Sequence, residues 1–153
     1  MTQNIFVLTW KPEVNEDFKE EQFNALAKTC WKDGFVDSSW RFNSQKYKEG
    51  DAVMVLRQGK EPGLVGVGRV IENSRNPTDE RTHYAAVRLL SMRDTFEHPF
   101  VSKKQLLDIG VRRSVLETQA SGQLCLNETE IVALLSLLRS TAGMDSFLGI
   151  FGE

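Results

Sequence analysis

Between Gly50 and Val70 the chain reads GDAVMVLRQGKEPGLVGVGRV, two apolar runs that each have the length and β-branched content of a buried strand, joined by a turn carrying Gly59, Pro62 and Gly63. Such a hairpin constrains the rest of the chain, which has to supply the layers that cover it. The glycines of the return run, Gly66 and Gly68, leave room for a ligand or a neighbouring element against the sheet. Their spacing is not that of a dinucleotide-binding turn, and no helical pattern follows them. The turn itself is basic, with Arg57, Gln58 and Lys60 on its lip.

The flanking segments read as the missing layers. NIFVLTW is a first strand that stops before Pro12. In NEDFKEEQFNALAKTCW, Asn15 is the expected helix cap, acidic residues fill the first turn, and Phe18, Phe23, Leu26, Ala27 and Cys30 recur at helical spacing. Trp31 continues that apolar face and is expected to fill core. Lys32 to Gly50 is predicted to be a loop of unusual length, a kind of segment that commonly carries function. A second polar loop, NSRNPTDERTH, precedes a strand over YAAVRLLSM. In VSKKQLLDIG, Ser102 and Gln105 form a capping box and Gly110 stands where a left-handed cap belongs. CLNETEIVALLSLLRS repeats the logic, with Asn127 as cap, Glu130 three residues later, and Ile131, Leu134, Leu135 and Leu138 on one face; it should be the longest regular helix after the first. The tail TAGMDSFLGIFGE is apolar but interrupted by glycine, and fraying, docking back on the sheet, and marking the cut end of a longer protein are all open to it. The expected organisation is one domain over residues 1–142 with a C-terminal tail at 143–153.

Composition narrows the function classes only in part. The 153 residues suffice for a domain with its own core, and the 41% hydrophobic and 26% charged fractions are those of a globular chain. A net charge of −2 argues against a surface that is cationic all over, while leaving room for a local basic patch. Cys30 and Cys125 lie far apart without a second Cys or a His at metal-ligand spacing, so reduced thiols in a cytoplasmic protein are expected, with no zinc and no disulfide framework. No run approaches the roughly 18 apolar residues of a membrane helix, and the N-terminus has no signal-peptide pattern.

Catalytic motifs are missing from the text of the chain. His83 and His98 stand alone, and no nucleophile elbow, phosphate loop or paired zinc ligands occur. What the irregular segments hold instead is aromatic and basic. Trp40 and Phe42 sit in the polar stretch DSSWRFNSQ, where a binding role and a packing role are both open to Trp40. From Trp40 to Lys60 there are five basic residues, Arg41, Lys46, Lys48, Arg57 and Lys60, against Glu49 and Asp51. Cations beside an aromatic loop suit nucleic acid, because the cations hold phosphates while a ring stacks on an unstacked base. Ordinary surface charge clustering is the plainer alternative.

Taken in order, IFVLTWKP, the tryptophan-bearing loop, the LRQG hairpin with its GLVGVG return, VRLL, VSKKQL and QASGQLCLNETEIVALL resemble the EVE domain of the PUA-like superfamily over about residues 3 to 140. The resemblance is strongest to EVE modules of modification-dependent restriction endonucleases, whose TWNP-like turn, LRQG-like strand end and GxxGxG-like return read here Thr9-Trp10-Lys11-Pro12, Leu56-Arg57-Gln58-Gly59 and Gly63-Leu64-Val65-Gly66-Val67-Gly68. It implies an α+β fold, a PUA-like curved β-barrel of about five to six strands flanked by helices, related to YTH and ASCH domains. It also implies a non-catalytic reader that flips a modified base into an aromatic cage. In the restriction-associated members that base is 5-methylcytosine or 5-hydroxymethylcytosine in DNA; in YTH it is a methylated adenine in RNA.

Carried onto this chain, the resemblance implies a base pocket of Trp10, Trp40, Phe42, Arg57, Gln58 and Tyr84, with Arg41, Lys46, Lys48 and Lys60 on the nucleic-acid backbone. The second cage tryptophan of YTH has no counterpart between Glu72 and His83, which leaves Tyr84 as the nearby aromatic. The expected partner is modified DNA ahead of RNA, with a nuclease fused or separate; the expected state is a monomer with no cofactor, metal or membrane. Binding of modified RNA, or of a free nucleobase, nucleoside or other small molecule, is the alternative.

Overall fold

The computed structural model describes residues 4–14, 18–42, 46–74, 83–141 and 144–151. In chain order the elements are β1 (Ile5–Trp10), α1 (Glu20–Asp33), β2 (Val36–Phe42), β3 (Ala52–Arg57), β4 (Gly63–Ser74), β5 (His83–Met92), β6 (Val101–Ser102), α2 (Lys103–Asp108), α3 (Arg113–Leu116), α4 (Glu128–Ser140) and α5 (Asp145–Ile150). One mixed sheet runs in the order β1-β3-β4-β5-β2, with β6 added beside β4. β1 is parallel to β3 and the other pairings are antiparallel. The sheet curls into a half-barrel flanked by helices, an α+β architecture. Register shifts at Val55/Leu56, Val67/Gly68 and Val70/Glu72 supply local bends, since a bulge increases strand twist.

The hairpin is apolar on both faces because it has a core on each side. Ile5, Val7, Ala52, Met54 and Leu56 pack toward Leu106, Val115, Leu134, Leu138 and Phe147 of the C-terminal helices. Phe6, Leu8, Trp10, Val53 and Val55 face the other way, toward Phe23, Ala27 and Cys30 of α1 and toward Trp40, Phe42 and Val87. Alternate side chains thus enter two cores, and neither face can be polar. Gly66 and Gly68 make room for neighbouring strands. A Cβ on Gly68 would lie 2.1 Å from the Arg88 carbonyl oxygen, and one on Gly66 would lie 3.4 Å from Val55.

Three local expectations are corrected. The helix starts at Glu20, with Lys19 as cap residue and the Gln22 side chain accepting from the Lys19 N–H at 2.8 Å. Phe18 therefore lies off the helix, and Asn15 lies outside the described residues. Trp31 is 50% exposed rather than core; it sits at the edge of the buried line Phe23-Ala27-Cys30, and its indole N–H donates to the Met92 carbonyl at 2.9 Å. The segment read as one long loop contains β2, in which Val36, Trp40 and Phe42 are buried while Asp37, Ser39 and Arg41 are exposed. Its period is two, but the polar half of the alternation hides it. Of the second expected loop, β4 takes up residues as far as Ser74 and β5 begins at His83; residues 75–82 lie outside those described.

The two capping boxes are present. Ser102 Oγ accepts from the Gln105 N–H at 3.1 Å while Gln105 Oε1 accepts from the Ser102 N–H at 2.9 Å, and Gly110 has φ 101°. Asn127 and Glu130 exchange the same pair of bonds at 2.8 Å each. Docking is the course the tail takes: Phe147, Ile150 and Phe151 of the 144–151 segment are buried in the core that holds Ile5 and Val7. Among the described residues no helix is long and apolar enough to cross a membrane.

Glu130 ties α4 to the segment before α3. It is 2% exposed; its Oε2 accepts from the Arg112 backbone N–H at 2.7 Å and its Oε1 from Arg112 Nη2 at 3.0 Å. Burial works against its ionisation, but hydrogen bonds from the Arg112 side chain and from the backbone N–H groups of Arg112 and Asn127 hold the carboxyl below its usual value. With the folded pKa depressed below the unfolded value of about 4.3, the ionised contribution is complete above that pH and is lost as pH falls through the folded pKa. Glu130→Gln should cost about 1.5–3 kcal/mol at pH 7. The gap in urea midpoint between wild type and variant should begin to narrow as pH falls below about 4.3; a gap undiminished at pH 3 would contradict the assignment.

Candidate functional site

The C-terminal end of β1, the β2–β5 edge and the turn that follows α3 surround an open cleft of about 710 Å³. That lies within the range of about 300–1,000 Å³ common for ligand sites. Strand pairing assembles it. β2 lies antiparallel to β5, so Trp40 is opposite Ala85 and Arg41 opposite Tyr84. β1 ends beside β3, where the Gln58 N–H donates to the Trp10 carbonyl at 2.8 Å. Residues from six separate parts of the sequence thus reach one concavity.

The aromatic groups form a floor and one open wall. Trp10 is 1% exposed, and its ring stacks on Phe23 with centroids 4.2 Å apart and planes 13° from parallel. Its indole N–H donates to the Phe18 carbonyl at 2.8 Å. Phe18 stands between the two tryptophans, with its ring centroid 5.7 Å from Trp10 and 5.2 Å from Trp40. Trp40 is 6% exposed and donates to Ser38 Oγ at 2.7 Å. Tyr84, at 48% exposure, is the cleft aromatic with a freely accessible ring. Tyr84, Trp40 and Phe18 thus all border the space open to a planar ligand, while Phe23 covers a face of Trp10.

Trp10, Trp40, Gln58, Tyr84 and Arg41 all line the cleft. Phe42, Arg57, Lys46, Lys48 and Lys60 do not. Phe42 is fully buried, with its ring against Phe6 and Tyr47. Arg57 is 3% exposed, and its Nη2 pairs with Glu20 Oε1 at 3.2 Å. The Lys60 backbone N–H donates to Glu13 Oε1 at 3.3 Å, and the surface beside it carries Glu13, Glu20 and Glu21 against the cation Lys19. The outer side of the basic lip is thus acidic, because the turn after β1 and the start of α1 fold against it. Gln58 is anchored too: its Nε2 donates to the carbonyls of Leu116 at 3.1 Å and Thr118 at 2.8 Å.

Several lining residues escape a reading of the sequence. Lys11, Ser38, Ser39 and Phe18 line the cleft, as do Gln119 and Ser121 of the turn after α3. The period-two alternation of VDSSWRF was the signal for Ser38. For Gln119 nothing local was available, since its place depends on Gln58, about 60 residues earlier, holding the turn. Reactive groups are few. Burial, with a smaller push from Asp51, raises the Cys125 thiol to about 11, so it is protonated at neutral pH. Among the described residues no group of three or more His, Cys, Asp or Glu is placed to hold a metal ion. Comparison with protein-family models, with curated proteins and with solved structures finds no match for this chain in any of the three.

Proposed function

We propose that the chain is a PUA-like domain of EVE type that binds nucleic acid through a modified base, 5-methylcytosine or 5-hydroxymethylcytosine in DNA, without cutting it. One observation carries the reading: Trp10, Trp40, Gln58 and Tyr84, expected from motif resemblance to share a pocket, line the same cleft. The curled mixed sheet of the α+β fold is compatible with a PUA-like barrel. In this reading the flipped base stacks on Tyr84, its modified edge rests on the apolar floor of Trp40 and Phe18, and Lys11 and Arg41 meet the flanking phosphates.

Fluorescence anisotropy on DNA and RNA probes that differ in one central base, with free nucleosides as competitors, tests it. One buried methyl contributes about 0.8 kcal/mol, so 5-methylcytosine should be preferred over cytosine about fourfold. Tyr84→Ala removes an exposed ring and should weaken binding about 5- to 150-fold with little change in melting temperature. Affinity should also fall as salt rises. Equal affinity for every probe would sink the reader, and stabilisation by free nucleoside alone would point to a small-molecule site instead.

A further inference from the structure

The turn from Thr118 to Gly122 is fixed at both ends and in the middle. Gln58 Nε2 donates to the carbonyls of Leu116 and Thr118, the Thr9 N–H donates to Ser121 Oγ at 3.0 Å, and the Gly122 N–H donates to the Val7 carbonyl at 2.9 Å. The Ala120 N–H donates to Thr118 Oγ1 at 3.2 Å, and the Gln123 N–H donates to the Ala120 carbonyl at 3.2 Å. Gly122 has φ 72°, and a Cβ there would lie 2.7 Å from the Phe42 Cα, so the turn is seated directly on β2. From this rigid mount Gln119 lines the cleft, exposed to solvent, and among the described residues its carboxamide has no hydrogen-bond partner.

We propose that Gln119 is the side chain that discriminates between bases in the cleft and that Gln58 is a positioning residue acting through the turn; the assignment rests on the nucleic-acid reading above. The two glutamines differ in what they can still offer. Both N–H groups of the Gln58 carboxamide are committed to backbone carbonyls, so only its oxygen could meet a ligand. Gln119 keeps a donor and an acceptor side by side, the pattern that pairs with the amino-and-ring-nitrogen edge of a nucleobase. A carboxamide on a mobile loop would adapt to any edge. One on a turn fixed by six hydrogen bonds meets a mismatched edge with unpaired polar atoms, and that penalty produces selectivity.

The test uses the full chain and single-stranded DNA probes identical except for a central cytosine, 5-methylcytosine, adenine or thymine. In wild type the affinities should rank. Gln119→Ala should compress the spread between best and worst probe about fivefold or more, whereas Tyr84→Ala should weaken all four by a similar factor. Gln58→Met should compress the ranking too and should speed hydrogen exchange at the Ala120, Gly122 and Gln123 amides. The double variant should discriminate no worse than Gln119→Ala alone, because the two residues act through one contact. A Gln119→Ala protein that keeps the wild-type ranking overturns the assignment and leaves the reader function standing. Wild-type protein that binds none of the four probes overturns both. Because Gln119 is exposed, its substitution should leave the fold intact, and the decisive arm does not depend on Gln58→Met being stable.

Discussion

Alanine at Gly68 is expected to lower stability by about 3 kcal/mol, whereas alanine at Gly66, two residues earlier on the same strand, should cost about 1 kcal/mol or less. Both glycines lie in β4, between β3 and β5, but what surrounds them differs. A Cβ at Gly68 would sit 2.1 Å from the Arg88 carbonyl oxygen and 2.9 Å from the Leu89 Cα, so only movement of the β5 backbone relieves the overlap. That movement would disturb Val87 and Leu89 in the core and the Arg88–Asp37 pair, whose Nε–Oδ1 distance is 2.8 Å. At Gly66 the nearest atoms are Cβ and Cγ2 of Val55, both at 3.4 Å, and a side chain can yield by tenths of an ångström. Thermal melts should separate the two variants, with Gly68→Ala about 6 to 12 °C below wild type and Gly66→Ala within about 4 °C of it. Equal melting temperatures would mean that β4 and β5 do not approach as closely at the bulge as described.

The same pair of glycines marks where the sequence was legible and where it was not. Their spacing announced a close approach, yet left open whether a ligand or a strand made it; only the pairing of β4 with its two neighbours decides for strands. Elements specified by local chemistry were readable. The boxes Ser102/Gln105 and Asn127/Glu130 are contained within four residues each, and residues 52–56 of β3 and the first part of β4 are apolar throughout because both faces are covered. β2 was not readable as a strand, because as an edge strand it exposes Asp37, Ser39 and Arg41, and a half-polar segment without a glycine-bounded apolar run resembles a loop.

The site was legible to the same partial degree. Trp10, Trp40, Gln58 and Tyr84 converge because the strand pairing brings them together. The basic lip was only partly legible for a physical reason: charge in a sequence carries no sign of its partner. Arg57 is paired with Glu20, 37 positions earlier, and Gln58 is bonded to carbonyls 58 and 60 positions later. Of the cations between Trp40 and Lys60, Arg57 is thus committed to a partner within the fold, while Arg41 lines the cleft.

Trp10→Ala should be the second severe lesion, at about 3–5 kcal/mol. It empties a site 1% exposed, removes the partner of the stacked Phe23 ring and leaves the Phe18 carbonyl without its indole donor. Phe18 then loses the bond that holds it between the tryptophans, so the cleft floor should loosen even in molecules that remain folded. Loss of ligand binding in this variant would accordingly say nothing about whether Trp10 touches the ligand. Trp10→Phe separates the two roles, because phenylalanine keeps an aromatic ring against Phe23 and gives up mainly the N–H and part of the volume. Its cost in urea denaturation should be about 1–2 kcal/mol. With 1% of its surface exposed and one face covered by Phe23, Trp10 offers a ligand little of its ring, and in the proposed reading its part is to hold Phe18 and Trp40 in place. Trp10→Phe is therefore expected to bind the 5-methylcytosine probe within a few-fold of wild type, against the larger loss for Tyr84→Ala. If Trp10→Phe instead lost as much affinity as Tyr84→Ala while its melting temperature stayed near wild type, Trp10 would be a direct stacking partner, and the Phe23–Trp10 stack would have to open when ligand binds.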